Sequence, residues 1–208
     1  MQPGPATHTA VSLYTAHGER KYLSRSERFR ALDAAARLPA DRALFCLTLA
    51  WTGARISEVL ALRPIDLQFD DCLISFRTLK RRHLHVRQVP VPPHLMREFE
   101  RHYHLRQRQA DPDLCDTRLW LFHRVTAWRI VKCVMAIAAL QGAAACPKGF
   151  RHGFGAGSVQ AGIPITLLQR GLGHARLSTT AIYTEVSGPE EFQFAKRYWR
   201  WSMKSRRR

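Results

Sequence analysis

Acidic residues are scarce in this chain. Its 208 residues hold 16 Asp and Glu against 33 Lys and Arg, a formal net charge of +17. A surplus that large points to a polyanionic partner, and nucleic acid is the commonest one. Also missing is any run of about 18 apolar residues, so no membrane-crossing helix is expected. Met1-Gln2-Pro3-Gly4-Pro5 lacks the charged-then-apolar pattern of a secretory leader. The five cysteines (Cys46, Cys72, Cys115, Cys133, Cys146) are odd in number and form no C-x-x-C pair. Cys46 and Cys133 lie in apolar helical runs and read as small core residues, with a reducing cytoplasm the simplest compartment. The pairs His83/His85 and His102/His104 have i, i+2 spacing, which points two rings apart on a helix, so no metal site is expected. No internal repeat is visible.

What is present is a globular composition, 46% hydrophobic, at a length that suits one domain with short tails. Residues 1–22 mix Pro, Gly, Thr and His without periodicity and are expected to be a flexible arm. Ser24 and Glu27 form a capping-box pair, opening a helix with Phe29, Leu32, Ala35 and Ala36 on one face and a stop before Pro39. An apolar helix from Asp41 to Trp51 is broken by Thr52-Gly53, and a short helix starts near Arg55. After the Asp70-Asp71 turn, Leu73–Phe76 and Val86–Val91 read as antiparallel strands. A helix is expected from His94 to Gln109, then a long apolar one capped by Thr126, running to Leu140 and closed by Gly142. Shorter helices fit Lys148–Ala161, Pro164–Gly171 and Ser178–Tyr183. The expected fold class is α+β, mostly helical with a small antiparallel sheet, over residues 23–190. A basic, aromatic tail, 191–208, follows.

Three segments stand out within that frame: Thr52-Gly53-Ala54-Arg55-Ile56-Ser57-Glu58, Phe150-Arg151-His152, and Leu172-Gly173-His174 with Tyr183 nine residues after the histidine. Arginine suits phosphate because its planar fork engages two oxygens and keeps its charge. Arg55 also follows a break at a helix start, where free amides favour anions. A tyrosine can attack phosphorus, but needs a base or a positive field because its ordinary pKa is about 10. Two arginines, a histidine and a tyrosine in this order and spacing resemble the catalytic set of the tyrosine recombinases, the phage-integrase family.

The resemblance covers about Ser24 to Gly188 and implies residue roles. Arg55 and Arg151 would clamp the scissile phosphate, with Glu58 orienting Arg55. His174 would hydrogen-bond a phosphate oxygen, and Tyr183 would be the nucleophile. The family's general acid is a lysine on a tight hairpin, here Lys80, with Arg82 as a rival because the hairpin is slightly long. Lys148 stands where the family usually has the histidine of a His-x-Leu-Arg-His pattern. Arg81, Arg82, Arg87, Lys196, Arg197 and Arg200 are expected DNA contacts.

The resemblance implies site-specific cleavage and rejoining of double-stranded DNA through a covalent 3′-phosphotyrosyl intermediate, without cofactor or metal. A homotetramer on paired sites, with accessory DNA-bending proteins, is the implied assembly. About fifty residues precede Arg55, fewer than a separate core-binding domain needs, so the chain is expected to be a catalytic domain alone, resembling the small fimbrial-switch invertases. The alternatives are a type IB topoisomerase-like activity and a non-catalytic DNA-binding protein.

Overall fold

The computed structural model describes residues 12–78, 85–185, 195–200 and 202. Helix α1 (Arg25–Ala36) opens at the expected capping box: Ser24 Oγ accepts from the Glu27 amide at 3.3 Å, and Glu27 Oε2 accepts from the Ser24 amide at 2.7 Å. Its buried face differs from the expected one. Ala31, Ala34 and Ala35 are buried, Leu32 is partly so, and Ala36 is exposed. Phe29 is 59% exposed, with the Arg25 guanidinium over its ring. Alanines let α1 lie close against α2 (Ala40–Thr52), where an aromatic ring would hold the helices apart. Helix α2 buries Leu44, Phe45, Cys46 and Leu49 in the main core and ends at Gly53, whose left-handed φ of 61° breaks the helix as its sequence predicts. Helix α3 (Ile56–Leu60) is one short segment, capped by Arg55 and Glu58.

A 3-10 turn (Pro64–Asp66) leads into a three-stranded antiparallel sheet of order β1 (Leu67–Gln68), β2 (Leu73–Thr78), β3 (His85–Pro90). The two longer strands were legible, and the two-residue β1 was not. Register pairs Phe76 with Arg87, and Ile74 and Val89 reach the main core. The expected helix from His94 to Gln109 is split into α4 (Pro93–Tyr103) and α5 (Leu105–Ala110), because His104 adopts a left-handed φ of 49°. Helix α6 (Arg124–Ile137) starts at His123, whose Nδ1 accepts from the Val125 amide, so Thr126 is not its cap. It ends three residues before Leu140. Cys133 lies on its exposed side and is not a core residue.

Helices α7 (Pro147–Gln160), α8 (Ile165–Leu172) and α9 (Ser178–Ala181) complete the domain, followed by a 3-10 turn (Ile182–Glu185). Between them a second, smaller core gathers Leu13, Tyr22, Ala156, Leu168, Leu172, Ile182 and Tyr183. Residues 12–22 therefore belong to the domain rather than to a flexible arm. Leu13 and Tyr22 are fully buried, and the Lys21 amide donates to Leu13 O at 2.7 Å. Each such buried side chain contributes about 1.5–3 kcal/mol, enough to dock a short segment. Residues 195–200 are helical, with Lys196, Arg197 and Arg200 exposed. Among the described residues, no helix is long and apolar enough to cross a membrane.

Candidate active site

The site forms where the start of α3, the face of α7 and the turns around α8 and α9 converge. Arg55 enters it through the break between helices at Gly53. A side chain at position 53 would meet the Phe154 ring at 2.7 Å and Leu172 at 2.9 Å, so α2 ends close against α7 and α8 and delivers Arg55 beside them. The Arg55 amide donates to Glu58 Oε2 at 2.8 Å and its guanidinium to Glu58 Oε1 at 2.9 Å, which sets the side chain's direction. About a third of that side chain remains exposed.

Glu58 holds a second arginine. Arg87 donates to Oε2 at 2.8 Å and to Oε1 at 3.2 Å, and its Nε donates to Gly171 O at 2.7 Å. Its guanidinium also lies over the Phe76 ring. Burial works to raise the Glu58 carboxyl, but hydrogen bonds and charge from Arg87 and Arg55 outweigh it, leaving the group below its ordinary pKa. Arg87, expected at the DNA surface, is thus turned inward, with 3% of its side chain exposed. It joins β3 to Glu58 and to the last turn of α8, just before His174. A strand position alternates faces, and position 87 points to the core.

Helix α7 carries the other half. Lys148, Arg151, His152 and Gly155 are spaced i, i+3, i+4, i+7 and share one side of the helix. Arg151 is buried, donating to Gly53 O at 2.6 Å and to Leu172 O at 2.8 Å. Burial and the nearby Arg55 charge pull its guanidinium down to about 10, so it stays cationic at neutral pH. Two anchors leave its other N–H groups for a ligand. Lys148, in contrast, is exposed.

Tyr183 is fully buried in the 3-10 turn after α9. Its ring rests on Gly155, where an added Cβ would stand 2.4 Å from ring carbons. The hydroxyl meets His152 Nδ1 at 3.2 Å, and the ring stacks with His174 at 6.4 Å between centroids and 7° between planes. Burial raises the Tyr183 pKa, while the charges of Arg151 and Arg55 act against that rise. His174 follows Gly173 at the end of α8, and its Nδ1 is 2.9 Å from the buried hydroxyl of Thr180. Burial, then the Arg151 and Arg55 charges, push His174 down to about 3. Burial followed by Arg151, Lys148 and Lys21 holds His152 at about 4. Both rings are neutral at physiological pH.

Five of the expected residues, Arg55, Glu58, Arg151, His174 and Tyr183, are therefore brought close together. Lys80, Arg81 and Arg82 lie outside the described residues. Two contributors were not expected: His152, which touches the Tyr183 hydroxyl, and Thr180, which fixes the His174 ring. The i, i+4 spacing from Lys148 to His152 was the available signal for the first.

A sequence profile described as the phage integrase family matches residues 21–189. The chain belongs to the phage integrase family. Among curated members, tyrosine recombinase XerA of Pyrococcus furiosus is 31% identical over 156 residues, 72% of this chain and 53% of that protein. The fold is similar to a crystal structure of XerA recombinase, with TM-score 0.71 and 25% identity over 85% of this chain and 64% of the other. It is also similar to the site-specific recombinase XerH bound to palindromic difH substrate in a post-cleavage complex, with TM-score 0.68 and 19% identity over 86% of this chain and 53% of the other. The α+β architecture is thus that of phage-integrase catalytic domains. The chain spans about half the length of the curated relatives it matches.

Proposed function

We propose that this chain is the catalytic part of a site-specific DNA recombinase that cleaves and rejoins double-stranded DNA through a 3′-phosphotyrosyl ester. The observation that carries this reading is the convergence of Arg55 and Arg151 on Tyr183, whose hydroxyl meets His152 and whose ring stacks with His174. A phosphodiester placed between the guanidiniums has its charge neutralised, and its phosphorus then faces a phenol oxygen. Glu58 holds Arg55 for that task, and Thr180 orients His174 toward a non-bridging oxygen. The membership of the family and the DNA-bound XerH structure support DNA as the substrate.

In the reaction, the Tyr183 oxygen bonds to phosphorus as the P–O5′ bond breaks. The ester stores the energy of the broken bond, so religation needs no nucleotide cofactor. Lys80 is the proposed donor of the proton that leaves with O5′. An arginine such as Arg82 is a poor donor because its pKa exceeds about 12. The proposed working assembly is a homotetramer on two DNA sites, with Lys196, Arg197 and Arg200 of the basic tail on DNA or on a neighbouring protomer.

A plasmid assay tests the reaction class. With two copies of the recognition sequence, inversion or deletion of the intervening DNA is expected. Relaxation of a one-site supercoiled plasmid without exchange would favour a topoisomerase, and binding without a covalent adduct would favour a non-catalytic protein.

A further inference from the structure

We propose that His152 accepts the phenolic proton of Tyr183 during cleavage and returns it during religation. The proposal rests on the active-site reading above and deepens it. Among the described residues, His152 Nδ1 is the hydrogen-bond partner of the Tyr183 hydroxyl, at 3.2 Å. The two side chains come from α7 and from the turn after α9, 31 residues apart, so the contact joins two elements and is not local. Lys148, the residue one turn earlier on the same side of α7, is exposed, and no hydrogen bond joins its ammonium to the described residues. An ammonium carries no lone pair, whereas a neutral imidazole presents one.

The charged and titratable groups around the ring agree with this role. Arg151 and Lys148 on α7 and Lys21 from the N-terminal segment are cationic, and with burial they keep the ring unprotonated down to about pH 4. His174 lies nearby and is likewise neutral. In the tautomer whose single ring proton sits on Nε2, Nδ1 is open to accept from the Tyr183 hydroxyl. A phosphodiester entering between Arg55 and Arg151 brings a negative charge that offsets theirs. The basicity of His152 therefore rises when substrate binds, at the moment when the phenol must lose its proton. The step balances: the Tyr183 O–H bond breaks and the proton passes to Nδ1, the O–P bond forms, the P–O5′ bond breaks, and O5′ takes a proton from a separate donor. Religation reverses each transfer.

The test measures single-turnover formation of the covalent adduct against pH, on a nicked duplex whose leaving atom is a 5′-bridging sulfur, so that leaving-group protonation does not limit the rate. For the native protein the rate is expected to be level at neutral pH and to fall tenfold per pH unit below a midpoint between about 4 and 6.5, the perturbed and ordinary values for this ring. His152→Asn preserves a polar atom near the Nδ1 position but accepts no proton. It is expected to bind DNA normally, to cleave about 10²–10⁴-fold more slowly at neutral pH, and to gain rate with each unit of added alkali. Lys148→Ala is expected to keep the level region, with its acid midpoint moved upward because one cation beside the His152 ring is gone. An Asn variant that cleaves within threefold of the native rate, or a Lys148→Ala variant that alone loses the level region, overturns the assignment. Should the Asn variant fail to bind DNA, the native profile decides: a level region supports His152, and a rate still climbing at pH 10 contradicts it. Absence of any adduct from native protein bound to its site would instead overturn the active-site reading itself.

Discussion

Arg87 and Glu58 form a buried, two-bonded ion pair at the back of the candidate active site, with side chains 3% and 6% exposed. The pair lets one carboxylate anchor Arg55 in front and the C-terminal turn of α8 behind, because Arg87 also holds Gly171 O. Removing Arg87 takes two hydrogen bonds from the buried Glu58 carboxylate and leaves the partly exposed Arg55 as its cationic partner. Arg87→Ala is therefore expected to lower stability by about 3–5 kcal/mol in urea unfolding and to reduce cleavage through a misplaced Arg55. Its effect on the salt dependence of DNA binding is expected to be nil, since a buried arginine releases no phosphate counterion. A flattened salt slope with unchanged stability would return Arg87 to the DNA surface.

Gly155 gives a test of packing against Tyr183, the proposed nucleophile. Gly→Ala within a helix ordinarily stabilises it, by up to about 1 kcal/mol. Here a Cβ would sit 2.4 Å from the Tyr183 ring. Gly155→Ala is expected to displace that ring, leaving DNA affinity intact while adduct formation falls at least tenfold. An Ala variant of native cleavage rate would show that Tyr183 reacts from another position.

Acid should destabilise the free protein through two kinds of group. Glu58 has a lowered pKa, so its contribution is present above the ordinary carboxylate value and is lost as pH falls through the folded one. His152 and His174 are also lowered, to about 4 and about 3. Below about 6.5 the unfolded chain takes up protons that the folded rings refuse, so stability declines as pH drops from there toward 3. Thermal melts across pH 3–8 are expected to show this decline, and Glu58→Gln to flatten its most acidic part. A melting temperature constant from pH 7 to 4 would contradict the buried, neutral state of the histidines.

The 5′-bridging sulfur duplex separates Lys80 from Arg82. A thiolate leaves without a proton, so Lys80→Ala is expected to cleave ordinary DNA very poorly and to recover on the sulfur substrate. Arg55→Ala is expected to stay impaired on both, since its proposed task is charge neutralisation. Recovery by Arg82→Ala instead would move the proton donor by two residues along the hairpin.

Local chemistry was legible in the sequence. The Ser24–Glu27 box, the break at Gly53 and the paired strands each depend on residues a few positions apart. The motif residues of the site were legible because their order and spacing are distinctive. What escaped depends on distant partners or on fit. Arg87 finds Glu58 29 residues away and Gly171 84 residues away, so its inward turn has no local sign. The face of α1 was misjudged because close helix packing favours the alanines over Phe29. Leu13 and Tyr22 are isolated apolar residues in a polar segment, and only the second core explains their burial. The His123 cap and the left-handed His104 are small choices of the backbone that no periodicity reveals.

Tyr183 is the most direct point of attack on the whole proposal. Tyr183→Phe keeps the ring on Gly155 and His174 and removes only the oxygen that meets His152. Incubated with a nicked duplex carrying the recognition sequence, native protein is expected to yield an SDS-resistant adduct through the 3′ phosphate at Tyr183, identified by peptide mass. The Phe variant is expected to bind the same duplex with unchanged affinity and yield none. An adduct of undiminished amount on the Phe variant, or one mapped to another residue of the native protein, would contradict it.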